Sequence, residues 1–253
     1  MKRLFIFVYG VICYAVFFAT FLYAVGFIGN FWVSKSIDSP REASLITALL
    51  VNLELLGVFA VQHSLMARPM FKRWWTRIVP EEAERSTYTL FSSLALIGLF
   101  AFWQPMGGVV WDVAAPAGRA VLYGAFAFGW GLLLLSTFLI NHFDLFGLRQ
   151  VWLQLLGKPY RPVAFRTPVL YRYVRHPLYV GWLFTFWATP TMTVAHLVFA
   201  LATTAYILIG IQLEEHDLIE AHPEYENYRQ SVPALLPFSK RRQQVAKRAV
   251  AGG

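Results

Sequence analysis

Charge is scarce in this chain. Asp, Glu, Lys and Arg supply 14% of its 253 residues, and hydrophobic residues supply 57%. Soluble domains carry roughly 25% charged residues. A globule with so few charges could not cover its own surface, so the main solvent is lipid. Cysteine is almost missing: the single one, Cys13, sits in an apolar run. No internal disulfide can form, and core packing is its expected role. The six histidines are scattered without ligand spacing, so no metal site is expected. The same composition excludes a disordered, a collagen-like and a disulfide-stapled chain, and no internal repeat is evident.

Acidic residues are the minority: 14 Asp and Glu face 22 Lys and Arg, a net charge of +8. In a soluble protein that excess would raise nucleic acid as a partner. Here the basic residues lie in loops beside apolar runs, where topology and anionic headgroups account for them. The lipid bilayer is the expected partner; no nucleic acid is expected, and no protein partner is inferred.

About 20 apolar residues cross the hydrocarbon core as a helix. The first run, residues 4–32, follows Met1-Lys2-Arg3. It is too long for the core of a signal peptide and no small-residue cleavage site closes it, so it reads as a retained helix. Runs at 44–67, 87–103 and 120–140 follow. The run at 178–189 is short and stops at Pro190, and 194–213 follows almost at once. The expected fold is all-α: a polytopic membrane helical bundle of four spans plus a C-terminal helical hairpin. One membrane-embedded domain is expected over residues 1–239, with a cofactor region at about 141–238 and a mobile basic tail at 240–253.

Loop charges orient these spans. Arg68, Lys72, Arg73, Arg77 and Arg85 follow the second run, and Arg149, Lys158, Arg161, Arg166, Arg172 and Arg175 follow the fourth. Lys240, Arg241, Arg242, Lys247 and Arg248 form the tail, while residues 104–118 and the hairpin tip have no Lys or Arg. These three basic groups and both termini then fall on one side, expected to be cytoplasmic. Trp32, Trp103 and Trp111 stand where an outer aromatic belt would.

Polar groups at membrane depth are costly and point to function. Glu54 lies roughly 15 Å into the second helix. The expectation is a neutral carboxyl bonded to another helix, with a catalytic role as the alternative; Asn52 is close by. Gln62 and His63 lie nearer the inner end, where a lone histidine serves packing more often than chemistry. The fourth run ends in Asn141-His142-Phe143-Asp144-Leu145-Phe146-Gly147-Leu148-Arg149-Gln150, which reads equally as a capped interfacial turn or as a site.

Tyr171-Arg172-Tyr173-Val174-Arg175-His176-Pro177-Leu178-Tyr179-Val180-Gly181 opens the hairpin, and Glu214-Glu215-His216-Asp217 closes it. Pro177 suits the first turn of a helix, so Arg175 and His176 stand at a helix N-terminus, a natural place for an anion. Folding the hairpin brings this basic end to the two carboxylates. The result is either a cup for a ligand carrying both signs or an Arg–Glu staple.

The segment Arg175 to Gly181, then Glu214-Glu215 with Leu218, then His222-Pro223-Glu224-Tyr225-Glu226-Asn227-Tyr228 and Val232-Pro233, resembles the closing region of the isoprenylcysteine carboxyl methyltransferase and phospholipid methyltransferase superfamily. Gln62-His63-Ser64-Leu65-Met66-Ala67-Arg68, Glu84-Arg85-Ser86-Thr87-Tyr88 and the 141–150 stretch resemble the bacterial methanethiol S-methyltransferases, NnrU-like membrane proteins. One position departs: Ala234 stands where the superfamily often has a basic residue after Val-Pro.

The resemblance implies S-adenosylmethionine as cofactor, methanethiol as a small thiol substrate, dimethyl sulfide as product and a bacterial inner membrane as location. It implies cofactor contacts from Tyr173, Arg175, His176, Pro177, Tyr179, Gly181, Glu214 and Glu215. For a base near the thiol the candidates are His142, Asp144 and His63, with His142 first because Asp144 adjoins it. Three alternatives stay open: a prenyl-cysteine or lipid amine as acceptor, an NADPH-dependent reductase on a related hairpin, and a non-enzymatic membrane subunit.

Overall fold

The computed structural model describes residues 1–163 and 167–237. Arg166, the end of the expected domain and the expected basic tail lie outside the described residues. Among the described residues five helices are long and apolar enough to cross a membrane: α1 (Lys2–Gly29), α2 (Leu45–Ala67), α4 (Glu81–Phe102), α5 (Pro116–Ile140) and α9 (Val194–Ala221). Between them lie α3 (Pro69–Trp75), β1 (Val109–Asp112), α6 (His142–Leu145), α7 (Leu148–Leu155), α8 (Pro177–Trp187) and β2 (Thr191–Thr193), and α10 (Tyr225–Ser231) follows α9. The chain is an all-α polytopic membrane protein. Among the described residues its strands are confined to the small antiparallel pairing of β1 with β2.

Local chemistry sets the helix ends. The Ser44 hydroxyl accepts from Thr47 N at the start of α2, satisfying one of the free N–H groups of the first turn. Arg68 is extended before Pro69, which opens α3. Pro116 and Pro177 occupy the first turns of α5 and α8. Helix α4 starts six residues before the apolar run, because Glu81, Glu82 and Glu84 suit the positive end of a helix. Helix α9 runs past the apolar run to Ala221, carrying Glu214, Glu215 and Asp217 on its last turns.

The hairpin is asymmetric. The eleven residues of α8 reach only about 16 Å, half the hydrocarbon thickness. Residues 188–193 extend the hairpin to the segment between α4 and α5: Val113 N donates to Pro190 O (2.9 Å) and β2 pairs with β1. His196, at the start of α9, faces Asp38 Oδ2 (3.2 Å) and Phe186 O (3.0 Å). Asp38 also accepts from Asn30 Nδ2 (2.7 Å) and from the Thr193 hydroxyl, so this end of the hairpin is tied to the loop after α1.

Helix α8 lies closest to α5, where two glycines meet. A Cβ on Gly181 would stand 2.9 Å from Gly129 O and 3.0 Å from Leu133 N. Backbone cannot yield as a flexible side chain can, so Gly181→Ala should lower stability by about 1–3 kcal/mol through overpacking. A melting curve in detergent as high as wild type's would show that α8 sits further from α5.

Two expectations change. Trp103 is no interfacial belt residue; it is 0% exposed, with Nε1 donating to Ile37 O (3.2 Å) and its ring against Phe27 and Phe199. The loop after α1 folds over it and supplies the acceptor. Glu54 does not bond to another helix. It lies on the exposed side of α2, with no hydrogen bond or ion pair among the described residues. Asn52 faces inward, two residues away and so on another side of the helix. Its amide donates to Gln104 O (2.7 Å) and accepts from Gln104 N (2.8 Å), pinning the exit of α4.

The polar segments gather at the opposite end. Arg68 pairs with Asp217 (2.9 Å). Gly147, at φ 88°, would place a Cβ 2.6 Å from Ser86 N, so only glycine lets the α6–α7 turn lie on the start of α4.

Candidate active site

The hairpin mouth is built around one buried cation. Arg175 Nε donates to Glu215 Oε1 (2.7 Å), and Nη1 donates to Arg229 O (2.8 Å) and to Val232 O. His176 Nε2 lies 3.0 Å from the same Glu215 oxygen. Tyr179 Oη donates to Glu214 Oε2 (2.9 Å), which lies 3.8 Å from His176 Nδ1. The carboxylates therefore differ: the Glu215 side chain is 6% exposed, the Glu214 side chain 46%. One is spent inside the fold; the other has an open side.

The segment after α10 closes this mouth. Arg175 N and His176 N donate to Pro233 O (2.9 Å) and Ala234 O (3.1 Å). Ala234, the departure in the sequence, thus contributes its backbone. The Tyr228 hydroxyl donates to Tyr171 O, and burial pushes its phenol up to about 12, so it stays a donor at neutral pH.

Of the residues expected at a cofactor, Arg175, His176, Tyr179, Glu214 and Glu215 converge here. Tyr173 stands at the exposed edge and Pro177 starts α8. Gly181 faces α5, so its missing side chain admits a helix there. The N–H groups of Arg175 and His176 are taken by carbonyls and do not offer the open anion site expected at this helix start.

The three candidate bases do not converge. His142 is buried, stacked on Phe138 with centroids 4.3 Å apart. Thr137 Oγ1 donates to Leu134 O (2.7 Å), so His142 Nδ1 donates to Thr137 (2.8 Å) and Nε2 accepts from Tyr14 (2.8 Å). The neutral ring is thereby satisfied on both sides. Asp144 does not orient it: residues two apart on a helical turn do not face each other. Asp144 instead accepts from Arg149 (2.7 Å) and Tyr160 (3.3 Å).

Burial holds His142 below the ordinary histidine range. An unfolded histidine gains its proton near pH 6.5, and the folded one resists it. Stability contributed by neutral His142 is therefore complete above about pH 6.5 and falls as the pH drops below it. Melting temperatures between pH 7.5 and 5 should decline more steeply for wild type than for His142→Gln; equal slopes would assign the decline elsewhere.

His63 has the richer setting. Tyr88 Oη lies 2.9 Å from its Nε2 and Ser92 Oγ 3.1 Å from its Nδ1. Next to it, Ser64 Oγ meets Tyr206 Oη of α9 at 3.0 Å. Gln62 Oε1 is buried nearby, with no hydrogen-bond partner among the described residues. A Cβ on Gly210, one turn beyond Tyr206 on α9, would stand 3.8 Å from Tyr179 Oη, so this seam between α2, α4 and α9 adjoins the hairpin mouth. The sequence reading missed Tyr88, Ser92 and Tyr206. The four-residue spacing of Tyr88 and Ser92 on one face of α4 was the available signal. Among the described residues no group of His, Cys, Asp and Glu could hold a metal ion.

Comparison with known proteins places this architecture. A methanethiol S-methyltransferase of Crocosphaera subtropica is 59% identical over 94% of each chain. Another, of Mycobacterium tuberculosis, is 52% identical over 95% of this chain and 99% of its own. The chain belongs to the methanethiol S-methyltransferase family. It is a membrane methyltransferase by that membership, and five apolar helices embed it. More distant kinship extends to nurim of Bos taurus, 30% identical over 70% of this chain and 71% of its own. No family model matches the chain, and no solved structure matches it significantly.

Proposed function

We propose that the chain transfers the methyl group of S-adenosylmethionine to methanethiol, releasing dimethyl sulfide and S-adenosylhomocysteine. Membership of the family supports the acceptor. The observation that carries the site is the split of the hairpin carboxylates into a buried Glu215 and an open Glu214. The donor set fits the cofactor: a carboxylate for amino or ribose hydroxyl groups, histidine and tyrosine donors for its carboxylate, and an exposed aromatic for adenine.

In this reading Glu214, Tyr179 and His176 hold the cofactor and Tyr173 stacks on it. Arg175 and Glu215 act by positioning them, and Pro177 and Gly181 by fixing α8. The bound sulfonium supplies an activated methyl group. The thiol enters the seam at His63, close to the unpartnered Gln62 carbonyl. His63 would take the thiol proton once the Tyr88 hydroxyl, now 2.9 Å from Nε2, turns to the incoming thiol and frees that nitrogen, with Ser92 holding Nδ1. With the cofactor bound, these residues would hold the thiol sulfur facing the methyl group it is to receive. Holding the two sulfurs in line is worth roughly 7–11 kcal/mol of the barrier. Excluding water favours the collapse of thiolate and sulfonium to neutral products. The basic loops and both termini lie in the cytoplasm of a bacterial cell, with the mouth at the inner leaflet.

The test uses purified protein, labelled S-adenosylmethionine and a panel of methanethiol, larger thiols, lipid amines and prenyl-cysteines, with headspace detection. Dimethyl sulfide from methanethiol is the expected product. Transfer only to another acceptor removes methanethiol; binding of NADPH in place of S-adenosylmethionine removes methyl transfer.

A further inference from the structure

We propose that the outward face of α2 docks a second copy of this chain, with Glu54 meeting Glu54 of that copy across a two-fold axis along the membrane normal. Glu54 is nine residues from Leu45 and thirteen from Ala67. Every other Asp, Glu, Lys or Arg on the five long helices lies within seven residues of a helix end. Among the described residues it is thus the one such group set at mid-membrane depth, and it points away from its own bundle with no hydrogen bond or ion pair to them.

Around it the face is apolar. Leu50, Val58 and Val61 are exposed on the same side of the helix, at the spacing of a single stripe. Gly57 lies among them, with nothing within 4 Å of the place a side chain would begin, so a second backbone can come close. A carboxylic acid is donor and acceptor at once. An apolar face carrying one such group is its own complement, since a two-fold axis along the membrane normal sets identical residues opposite each other at equal depth. A foreign helix would have to bring a matched polar group to the same depth; a second copy brings it by symmetry. The inference does not rest on the methyl-transfer reading.

Donor- and acceptor-labelled full-length chains are reconstituted in phosphatidylethanolamine–phosphatidylglycerol vesicles and diluted with lipid. Energy transfer should persist for wild type and for Glu54→Gln, whose amide also donates and accepts. Glu54→Leu should weaken association by at least about tenfold, while its melting temperature stays at wild type's. In a Cys13→Ala background, Val58→Cys and Val61→Cys should cross-link between copies, and Leu22→Cys on the exposed side of α1 should not. Wild type that dilutes to monomers, Glu54→Leu that pairs as wild type does, or cross-links confined to α1 would each overturn the proposal.

Discussion

Glu215→Ala is expected to cost the protein its hairpin mouth. Arg175 is buried, and Glu215 is the carboxylate bonded to it. Without that carboxylate the guanidinium keeps only the carbonyls of Arg229 and Val232, and its charge is left uncompensated. Breaking a buried pair from one side costs about 3–5 kcal/mol. Glu215→Gln keeps a hydrogen-bond acceptor and should fall between alanine and wild type. Glu214→Ala should behave oppositely. Its side chain is half exposed and its bond is to the Tyr179 hydroxyl, so stability should fall by only about 0.5–1.5 kcal/mol. If Glu214 meets the cofactor, a lost charged hydrogen bond of about 1.5–3 kcal/mol weakens binding by roughly 10- to 150-fold. Melting curves and calorimetric titration with S-adenosylmethionine separate the two. A Glu215→Ala protein as stable as wild type would mean that Arg175 has another counter-ion.

His63→Ala is expected to lower kcat by about 10²–10⁴-fold, the usual worth of a positioned base, with cofactor affinity unchanged. The deficit should shrink as pH rises. A cysteine-type thiol ionises near pH 8.5 and a simple alkyl thiol higher still, so at alkaline pH solvent supplies the thiolate that the missing ring no longer makes. His142→Ala should show the converse pattern, with kcat nearly kept and the melting temperature lowered through its lost bonds to Tyr14 and Thr137. Should His142→Ala lose turnover while His63→Ala keeps it, the proton acceptor belongs at the end of α5.

The long elements were legible because lipid demands uninterrupted apolar runs, and the caps at Ser44, Pro69 and Pro177 mark their ends without help from tertiary structure. The meeting of Arg175 and His176 with the two glutamates was legible for the same reason: a hairpin leaves its ends few places to go. What failed needed distant partners. Asp144 looked like an orienter for His142 from adjacency, yet the turn aims the two apart, and Arg149 and Tyr160 claim the carboxylate. Gly181 was expected to contact the cofactor, and α5 fills the room its missing side chain leaves. Tyr88 and Tyr206 belong to helices far apart in sequence, so only packing shows that both come near His63. Trp103 looked interfacial until the loop after α1 folded over it.

The acceptors that lock Arg175 lie at Arg229 and Val232, and the backbone clamps on the start of α8 lie at Pro233 and Ala234. During synthesis all five long helices leave the ribosome before these residues do. A prematurely terminated chain can therefore thread the bilayer completely and still have an unfinished mouth. Completion of the site is thus a late event of biogenesis, separate from insertion.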